Sequence, residues 1–152
     1  MDPRDELRTF LRPASVAAAG IMASLVIYLG LVEVLKAVNR PFRGFAAAAG
    51  GSLQPLRLAA FGIAAAVVLV ILILRHRLFA VDPMQERRSA LARLQKASLV
   101  VLVLGEVPAI LGLGLFLIGG NAVDFYILLF ASLTLTFIDF PRRAVWEEWL
   151  KG

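Results

Sequence analysis

The sequence contains no cysteine and a single histidine, His76. Without cysteine the chain has no disulfide, thiolate metal site, iron–sulfur cluster or covalently attached haem. One histidine also excludes a haem held by two histidines of the same chain. We therefore expect neither a metal nor a cofactor.

Charged residues are missing from long stretches of the chain. Hydrophobic residues make up 60% of the sequence and the mean hydropathy is +0.82, whereas a soluble domain contains about 45–50% apolar residues. The apolar residues form four blocks, each close to the roughly 20 residues that cross a hydrocarbon core. Backbone polar groups must be paired in lipid, so each block is expected to be helical. The sequence therefore predicts an all-α polytopic membrane protein, a single domain over residues 1–152. Its four transmembrane helices are predicted at about residues 14–37, 57–75, 96–118 and 123–140.

Both ends of the chain show the pattern of a short interfacial helix. Asp2 and Pro3 form a typical helix start, and apolar residues then share one face over residues 3–12. After Pro141, two tryptophans and a leucine repeat that spacing over residues 142–151, and tryptophan favours the headgroup boundary. The membrane-interface residues of this second helix are Arg142, Arg143, Trp146 and Trp149.

The third helix is predicted to begin well before its membrane span. A sequence resembling a capping box at residues 82–85 favours one long helix from about residue 83 to 118. Its first three turns would then project from the membrane. The loop over residues 39–56 is rich in Gly, Ala and Pro, and its conformation stays open at this point.

The distribution of Lys and Arg predicts the orientation. With both termini cytoplasmic, 12 of the 16 basic residues lie inside and 4 lie outside, as the positive-inside rule requires. The net charge of +5 therefore reflects membrane topology, and we expect the lipid bilayer rather than a nucleic acid as partner.

Glu106 is the one carboxyl predicted near the middle of the bilayer. A charge there costs about 2.5–3.5 kcal/mol on insertion scales, so the group is either protonated or paired. It is a candidate proton- or cation-binding site, and the alternative is a structural hydrogen bond to a neighbouring helix. Glu33, three residues before Lys36, predicts an exposed ion pair at the end of the first helix.

Hydroxyl residues on the fourth helix are candidate partners of Glu106. Ser132 and Thr136 lie four residues apart and form one polar stripe, although such hydroxyls also satisfy local backbone carbonyls.

Small residues around Glu106 predict close helix packing. Gly105 and Ala109 form a small face, and Pro108 removes a backbone donor and favours a kink. Gly20 and Ser24 predict a second close-packing face on the first helix. The complete set of predicted packing residues is Gly20, Ser24, Gly105, Pro108, Ala109 and Gly112.

No catalytic constellation is present in the sequence. There is no Ser/His/Asp set, no metal-ligand spacing and no phosphate-binding glycine loop. We therefore expect a non-enzymatic protein. An intramembrane enzyme acting on lipid is the least supported reading, because Glu106 has no second catalytic group nearby in sequence.

The segment Glu-Val-Pro-Ala-Ile-Leu-Gly-Leu-Gly-Leu-Phe-Leu over residues 106–117 resembles the carboxylate helix of rotary ATPase proteolipid (c) subunits. By this resemblance Glu106 would be the ion-carrying carboxylate and Gly112 a packing position. The resemblance covers about a dozen residues, and the preceding helix lacks the glycine ladder of that family.

The whole chain resembles small four-helix bacterial membrane proteins without an assigned activity. Their last span ends in Phe-Pro-Arg with a following Trp, as at residues 140–142 and Trp146. That likeness implies a bacterial inner membrane.

Two functions remain open from the sequence. In the first, the chain is an oligomeric membrane component, or a subunit of a larger complex, in which Glu106 binds a proton or cation for translocation. In the second, it is an accessory or scaffold subunit in which Glu106 is structural and the cytoplasmic extension of the third helix docks a partner.

Overall fold

The computed structural model describes residues 3–46, 52–78 and 87–140, and these form four α-helices. The helices are α1 (Pro3–Val38), α2 (Gln54–Leu78), α3 (Arg87–Gly119) and α4 (Ala122–Ile138). The predicted all-α architecture with four helices is confirmed at this level.

Three of the helices are long and apolar enough to cross a membrane. The apolar stretches are Leu11–Val38, Gln54–Arg75 and Leu91–Gly119. The fourth helix, α4, is equally apolar but has 17 residues, which span about 26 Å at 1.5 Å per residue. Large apolar side chains point outward as well as inward, among them Phe130 with 72% and Ile27 with 67% of their surface exposed. Such a surface suits lipid and would be unstable in water.

The N-terminal segment differs from its prediction. Residues 3–12 are helical, but they are the first turns of α1 rather than a separate helix, since α1 continues through Pro13. A proline removes one backbone hydrogen bond, which can kink a helix without ending it. The predicted second interfacial helix, residues 142–151 with Arg142, Arg143, Trp146 and Trp149, lies outside the described residues, as does the capping sequence at 82–85.

The central element of the bundle is α3, which packs against α1, α2 and α4. Its buried residues lie on more than one side of the helix, because different faces meet different neighbours. Phe116 is fully buried and contacts Phe42 and Phe125, with ring centroids 4.9 and 6.4 Å apart. This aromatic cluster fills the end of the bundle at which α3 ends and α4 begins.

The loop after α1 folds over that end of α3. The Phe45 and Ala46 backbone N–H groups donate to the carbonyls of Leu117 and Ile118, at 2.8 and 3.1 Å. These carbonyls belong to the last turn of α3 and have no intrahelical donor. The first described part of the predicted loop, residues 39–46, therefore caps α3, and the last residues of that predicted loop already belong to α2, which begins at Gln54.

Two glycines make this close approach possible. Gly44 has φ +82° and Gly120 has φ +71°, in the left-handed region that favours glycine. A Cβ atom on Gly44 would lie 2.3 Å from the Ile118 carbonyl oxygen, and one on Gly120 would lie 2.5 Å from the Arg43 carbonyl carbon. The two turns therefore meet backbone against backbone.

Ion pairs join α2 to α4 at both ends. Arg57 and Asp124 are 2.6 Å apart at the first end, and Arg75 and Asp139 are 3.5 Å apart at the other. The helices are therefore parallel. The two arginines are 18 residues apart on α2, or about 27 Å, close to the roughly 30 Å thickness of a hydrocarbon core.

Close packing of α3 on α4 uses the small face predicted from the sequence. Gly105, Ala109 and Gly112 are all buried. A Cβ atom on Gly112 would lie 3.0 Å from Leu128 Cβ and 3.2 Å from Phe125 Cα, so α4 lies directly against the glycine. Small residues allow such approach between membrane helices, where van der Waals contact supplies much of the attraction.

We expect Gly112→Val to lower the thermal unfolding temperature in detergent, because the added methyl groups force α3 and α4 apart. Overpacking of this kind costs about 1–3 kcal/mol. Gly114→Val is the matched control, since a Cβ atom on Gly114 meets nothing within 4 Å. An equal change in the two variants would show that helix propensity, and not the α3–α4 contact, sets the effect.

Candidate functional site

Glu106 lies in the middle of α3, 15 residues after Leu91 and 13 before Gly119, the ends of its apolar stretch. Its side chain is half-buried. Within the three apolar stretches it is the one carboxyl or basic side chain that lies more than five residues from an end. In a membrane this depth denies the group water, so its hydrogen bonds must come from the protein.

Two hydroxyls of α1 donate hydrogen bonds to Glu106. Ser24 Oγ lies 2.5 Å and Tyr28 Oη 2.9 Å from Glu106 Oε1. Residues four apart lie on one helix face, so the two donors reach the same carboxyl oxygen from successive turns. The carboxyl thus joins α1 to α3 midway along both helices.

A further contact of Ser24 links the direction of its hydroxyl hydrogen to the protonation state of Glu106. Ser24 Oγ also lies 2.8 Å from the Ile21 carbonyl oxygen, one turn earlier on α1. A hydroxyl has one hydrogen, so it donates to only one of these acceptors at a time. When Ser24 donates to Ile21, its contact with Glu106 is a hydrogen bond only if Glu106 carries a proton and donates it. When Ser24 donates to Glu106, the carboxylate is accommodated instead.

The cluster of Ser24, Tyr28 and Glu106, together with the Ile21 carbonyl, therefore has two hydrogen-bonded arrangements that differ by one proton. We call this group the Glu106 cluster. Both hydrogen bonds seen at the carboxyl use Oε1. The two arrangements differ in the direction of the hydrogen bond between Ser24 and Glu106.

The hydroxyls predicted as partners on α4 do not bond to Glu106. Ser132 Oγ instead accepts a hydrogen bond from the Ala109 backbone N–H, at 2.9 Å. Thr136 is 1% exposed, and its Oγ1 has no hydrogen-bond partner within the described residues. The reason is geometric: adjacent residues of a helix point about 100° apart. Gly105 and Ala109 face α4, and Glu106 consequently faces α1.

The Ser132 hydroxyl of α4 lies beside Pro108 of α3. Proline has no N–H, so the Leu104 carbonyl loses its usual helical donor, although α3 continues through Pro108. Pro108 is fully buried, and Ser132 provides a hydrogen-bond acceptor for the N–H of the next residue, Ala109. Thr136 lies against Gly105, 3.9 Å from where a Cβ would stand. The Ser132–Thr136 stripe thus lies against the α3 backbone at Gly105 and Ala109 instead of the carboxyl.

The packing role predicted for Gly20 is not seen within the chain. Gly20 is exposed, and a Cβ atom added to it would meet nothing within 4 Å. The buried side of α1 is formed by Ala18, Ile21 and Leu25. Ser24 borders this buried side, but its contribution is the hydrogen bond to Glu106.

A second polar cluster lies at the end of α1. The predicted ion pair between Lys36 and Glu33 is confirmed at 3.2 Å. Sequence analysis missed Tyr126 of α4, whose hydroxyl donates to Glu33 and accepts from Lys36 Nζ at 2.6 Å. These groups are exposed or half-buried, so the cluster fastens α1 to α4 at the bundle's edge.

Sequence analysis also missed other polar residues that have specific hydrogen-bond partners. Asp124 is 1% exposed and receives hydrogen bonds from Arg57 and the Asn121 amide, at 2.7 and 3.1 Å. Tyr28 could have been noticed as a polar residue one turn after Ser24 within an uncharged block. No group of three His, Asp or Glu side chains that could hold a metal occurs in the described ranges.

Comparison of the chain with known protein families, curated proteins and solved structures finds no match. The Glu106 cluster is therefore interpreted from its own geometry.

We expect a double-mutant cycle to show coupling between Tyr28 and Glu106. Tyr28→Phe and Glu106→Ala each remove the hydrogen bond, so their combined effect on unfolding free energy should be smaller than the sum. Interhelical hydrogen bonds in membranes give coupling of about 0.6 kcal/mol on average, with a maximum near 1.7.

The second tyrosine of the chain supplies the control for this cycle. Tyr126 hydrogen-bonds to Glu33 and Lys36, so Tyr126→Phe should combine additively with Glu106→Ala. Additivity of Tyr28→Phe with Glu106→Ala would contradict the hydrogen bond between them.

Proposed function

We propose that this chain is a non-enzymatic, four-span membrane protein in which Glu106 binds a proton within the bilayer. The observation that supports the proposal is the Glu106 cluster, in which one carboxyl oxygen meets two hydroxyls and a carbonyl accepts in the alternative arrangement. A group that has a hydrogen-bonded arrangement both with and without its proton suits a site that loads and unloads repeatedly.

The proposed membrane topology rests on the structure of the helices and on the distribution of basic residues. Three helices are long and apolar enough to span, and we propose that α4 is the fourth span because it is parallel to α2 and ion-paired with it at both ends. The positive-inside rule then favours cytoplasmic termini. The proposed location is a bacterial inner membrane, with interfacial segments at both ends of the chain.

Proton binding is favoured over binding of a metal cation by the small number of oxygen atoms at the carboxyl. Among the described residues, the Ser24 and Tyr28 hydroxyls are the two groups that the structure places within hydrogen-bond distance of Glu106. A sodium ion would require several more oxygen ligands. Monovalent cation binding is the variant of the proposal to be measured beside proton binding.

We propose that the chain works as a homo-oligomer or as a subunit of a membrane complex. Gly20 and Ala23 lie on an exposed side of α1, and small residues on a membrane helix permit close approach of another helix. A neighbouring helix on this side would bring a second surface within one turn of Ser24. Translocation through the Glu106 cluster would need such a neighbour to complete a path.

The second candidate function is that of an accessory or scaffold subunit. It is favoured by one specific observation: both donors to Glu106 belong to the same chain, so the carboxyl is satisfied without a partner. In that case Glu106 only holds α1 to α3. The first turns of α3, residues 87–96, would then dock a partner on the cytoplasmic side.

Infrared titration and proton flux separate these functions. In liposomes, we expect the wild-type protein to show the carbonyl band of a protonated carboxyl, and Glu106→Gln to lose it. If the cluster also translocates protons, wild type should dissipate a pH gradient and Glu106→Gln should not. The same liposomes with a sodium gradient test the cation variant.

Glu33→Gln is the control, because it removes a different carboxyl, which belongs to α1 and lies at the bundle's edge. It should keep both the band and the flux, with an unfolding temperature close to that of Glu106→Gln. The band without flux would favour the accessory function. If the spectra of wild type and Glu106→Gln show the same carbonyl band, the proton site is refuted.

The proposed topology is testable because the chain has no cysteine. Ser52 and Ser89 are exposed and lie at opposite ends of the bundle. We expect a membrane-impermeant maleimide added to intact cells to label Ser52→Cys and to label Ser89→Cys only after permeabilisation. The reverse pattern would contradict cytoplasmic termini.

A further inference from the structure

Thr136 of α4 carries a buried hydroxyl at the contact between α3 and α4. Its side chain is 1% exposed, and its Oγ1 has no hydrogen-bond partner within the described residues. A buried hydroxyl without a partner is destabilising, because it has lost its hydrogen bonds to water and gained none. Thr134 of the same helix is exposed and donates to the Phe130 carbonyl one turn earlier, at 2.8 Å. Thr136 does not make the equivalent bond, so its hydroxyl hydrogen is available to a ligand.

Gly105 of α3 leaves space in front of this hydroxyl. A Cβ atom added to Gly105 would lie 3.9 Å from Thr136 Oγ1 and 3.6 Å from Leu135 Cβ. Both are ordinary van der Waals distances, so the contact between the two helices has room here for one atom of the size of a methyl group. Gly112 on the same face is different, because a Cβ atom there would lie 3.0 Å from Leu128 Cβ. The space at Gly105 therefore suits a ligand as small as water.

A backbone acceptor lies at the same level of α3. Pro108 has no N–H, so the Leu104 carbonyl lacks its usual helical donor, and this carbonyl belongs to the peptide bond that joins Leu104 to Gly105. In membrane helices, backbone groups freed by proline are paired by Ser or Thr side chains and by ordered water. Ser132 accepts a hydrogen bond from the Ala109 N–H, at 2.9 Å. Because Ser132 is the acceptor in that bond, its own hydroxyl hydrogen can be donated elsewhere.

We infer that the contact between α3 and α4 binds one water molecule between Gly105 and Thr136. The water accepts hydrogen bonds from the Thr136 and Ser132 hydroxyls and donates one to the Leu104 carbonyl. Residues four apart on a helix lie about 5–6 Å apart, which two hydrogen bonds of about 2.8 Å to one oxygen can span. Three partners are the usual number for a buried water. The inference does not depend on proton binding at Glu106.

Gly105→Ala tests the inference, because the added methyl group takes the place of the water. Displacement leaves the Thr136 hydroxyl and the Leu104 carbonyl without a partner, so we expect the thermal unfolding temperature in detergent to fall by about 2–4 °C. Without the water the same change would raise that temperature, because alanine fits the space and favours a helix more than glycine does. Gly114→Ala is the matched control, since a Cβ atom there meets nothing within 4 Å. It should raise the unfolding temperature.

Thr136→Val separates loss of water from overpacking. Valine keeps the size of the side chain but cannot bind water, so Gly105→Ala should not lower the unfolding temperature of the Thr136→Val protein. An equal fall in both backgrounds would assign the effect to overpacking and contradict the inference. A rise in unfolding temperature on Thr136→Val alone would also contradict it, because that result indicates removal of an unpaired hydroxyl.

Nuclear magnetic resonance of the full chain in bilayers detects the water itself. The sequence has three threonines, Thr9, Thr134 and Thr136, so threonine labelling gives three methyl signals. We expect magnetisation to pass from water to the Thr136 methyl group in wild type but not in Gly105→Ala. Thr134 is the control, because it is exposed on the other side of α4 two residues away and should receive none.

Absence of transfer to Thr136 in wild type, or equal transfer to Thr134, would overturn the inference. The transfer should persist in Glu106→Gln, so failure of the proton site leaves this test intact.

Discussion

Lipid is as apolar as a leucine side chain, so exclusion of water does not drive the helices of this bundle together within the membrane. Contact instead depends on close packing and on a few polar groups that have no other partner. At the centre, α3 uses both: Gly112 lets α4 approach to van der Waals distance, and Glu106 receives hydroxyls from α1. Pro108 lies between these two residues in sequence, and the N–H of the next residue, Ala109, donates to Ser132. Polar side chains of α4 and α1 thus bond to α3 on either side of the proline.

Hydropathy and residue size predicted much of this arrangement. Long uncharged blocks indicate helices because unpaired backbone is not tolerated in lipid, and the small residues around Glu106 indicated a close contact, which α4 makes. The identity of each neighbour was beyond the sequence, because helix order in a bundle depends on which faces pack. Ser132 and Thr136 were candidate partners of Glu106, but they lie against the face of α3 formed by small residues, about 100° away around the helix. Tyr28, which does reach it, carries no local signal of its partner.

The continuity of α1 through Pro13 and the exposure of Gly20 have a similar explanation. The first prediction placed a separate amphipathic helix before the uncharged block, and the second used the rule that small residues favour helix contact. A proline can remove one hydrogen bond without ending a helix, and the positions of the other helices decide whether a glycine makes a contact. Ion pairs at the helix ends show the same dependence: Arg57 and Asp124 were each readable as boundary residues, but their pairing follows from the parallel placement of α2 and α4. Apart from Glu106, the charged residues of the three apolar stretches lie near their ends, which is the pattern that a membrane favours.

The meeting of Gly44 and Gly120 bears on how such a sequence can evolve. At either position the three atoms nearest to an added Cβ all belong to the backbone, so a side-chain replacement elsewhere cannot move them away. Both residues also have a positive φ, which penalises other residue types independently of space. A lost hydrogen bond at Glu106 can be restored by a different donor on a neighbouring helix. In a lineage of related sequences, the two turn glycines would therefore drift less than the carboxyl.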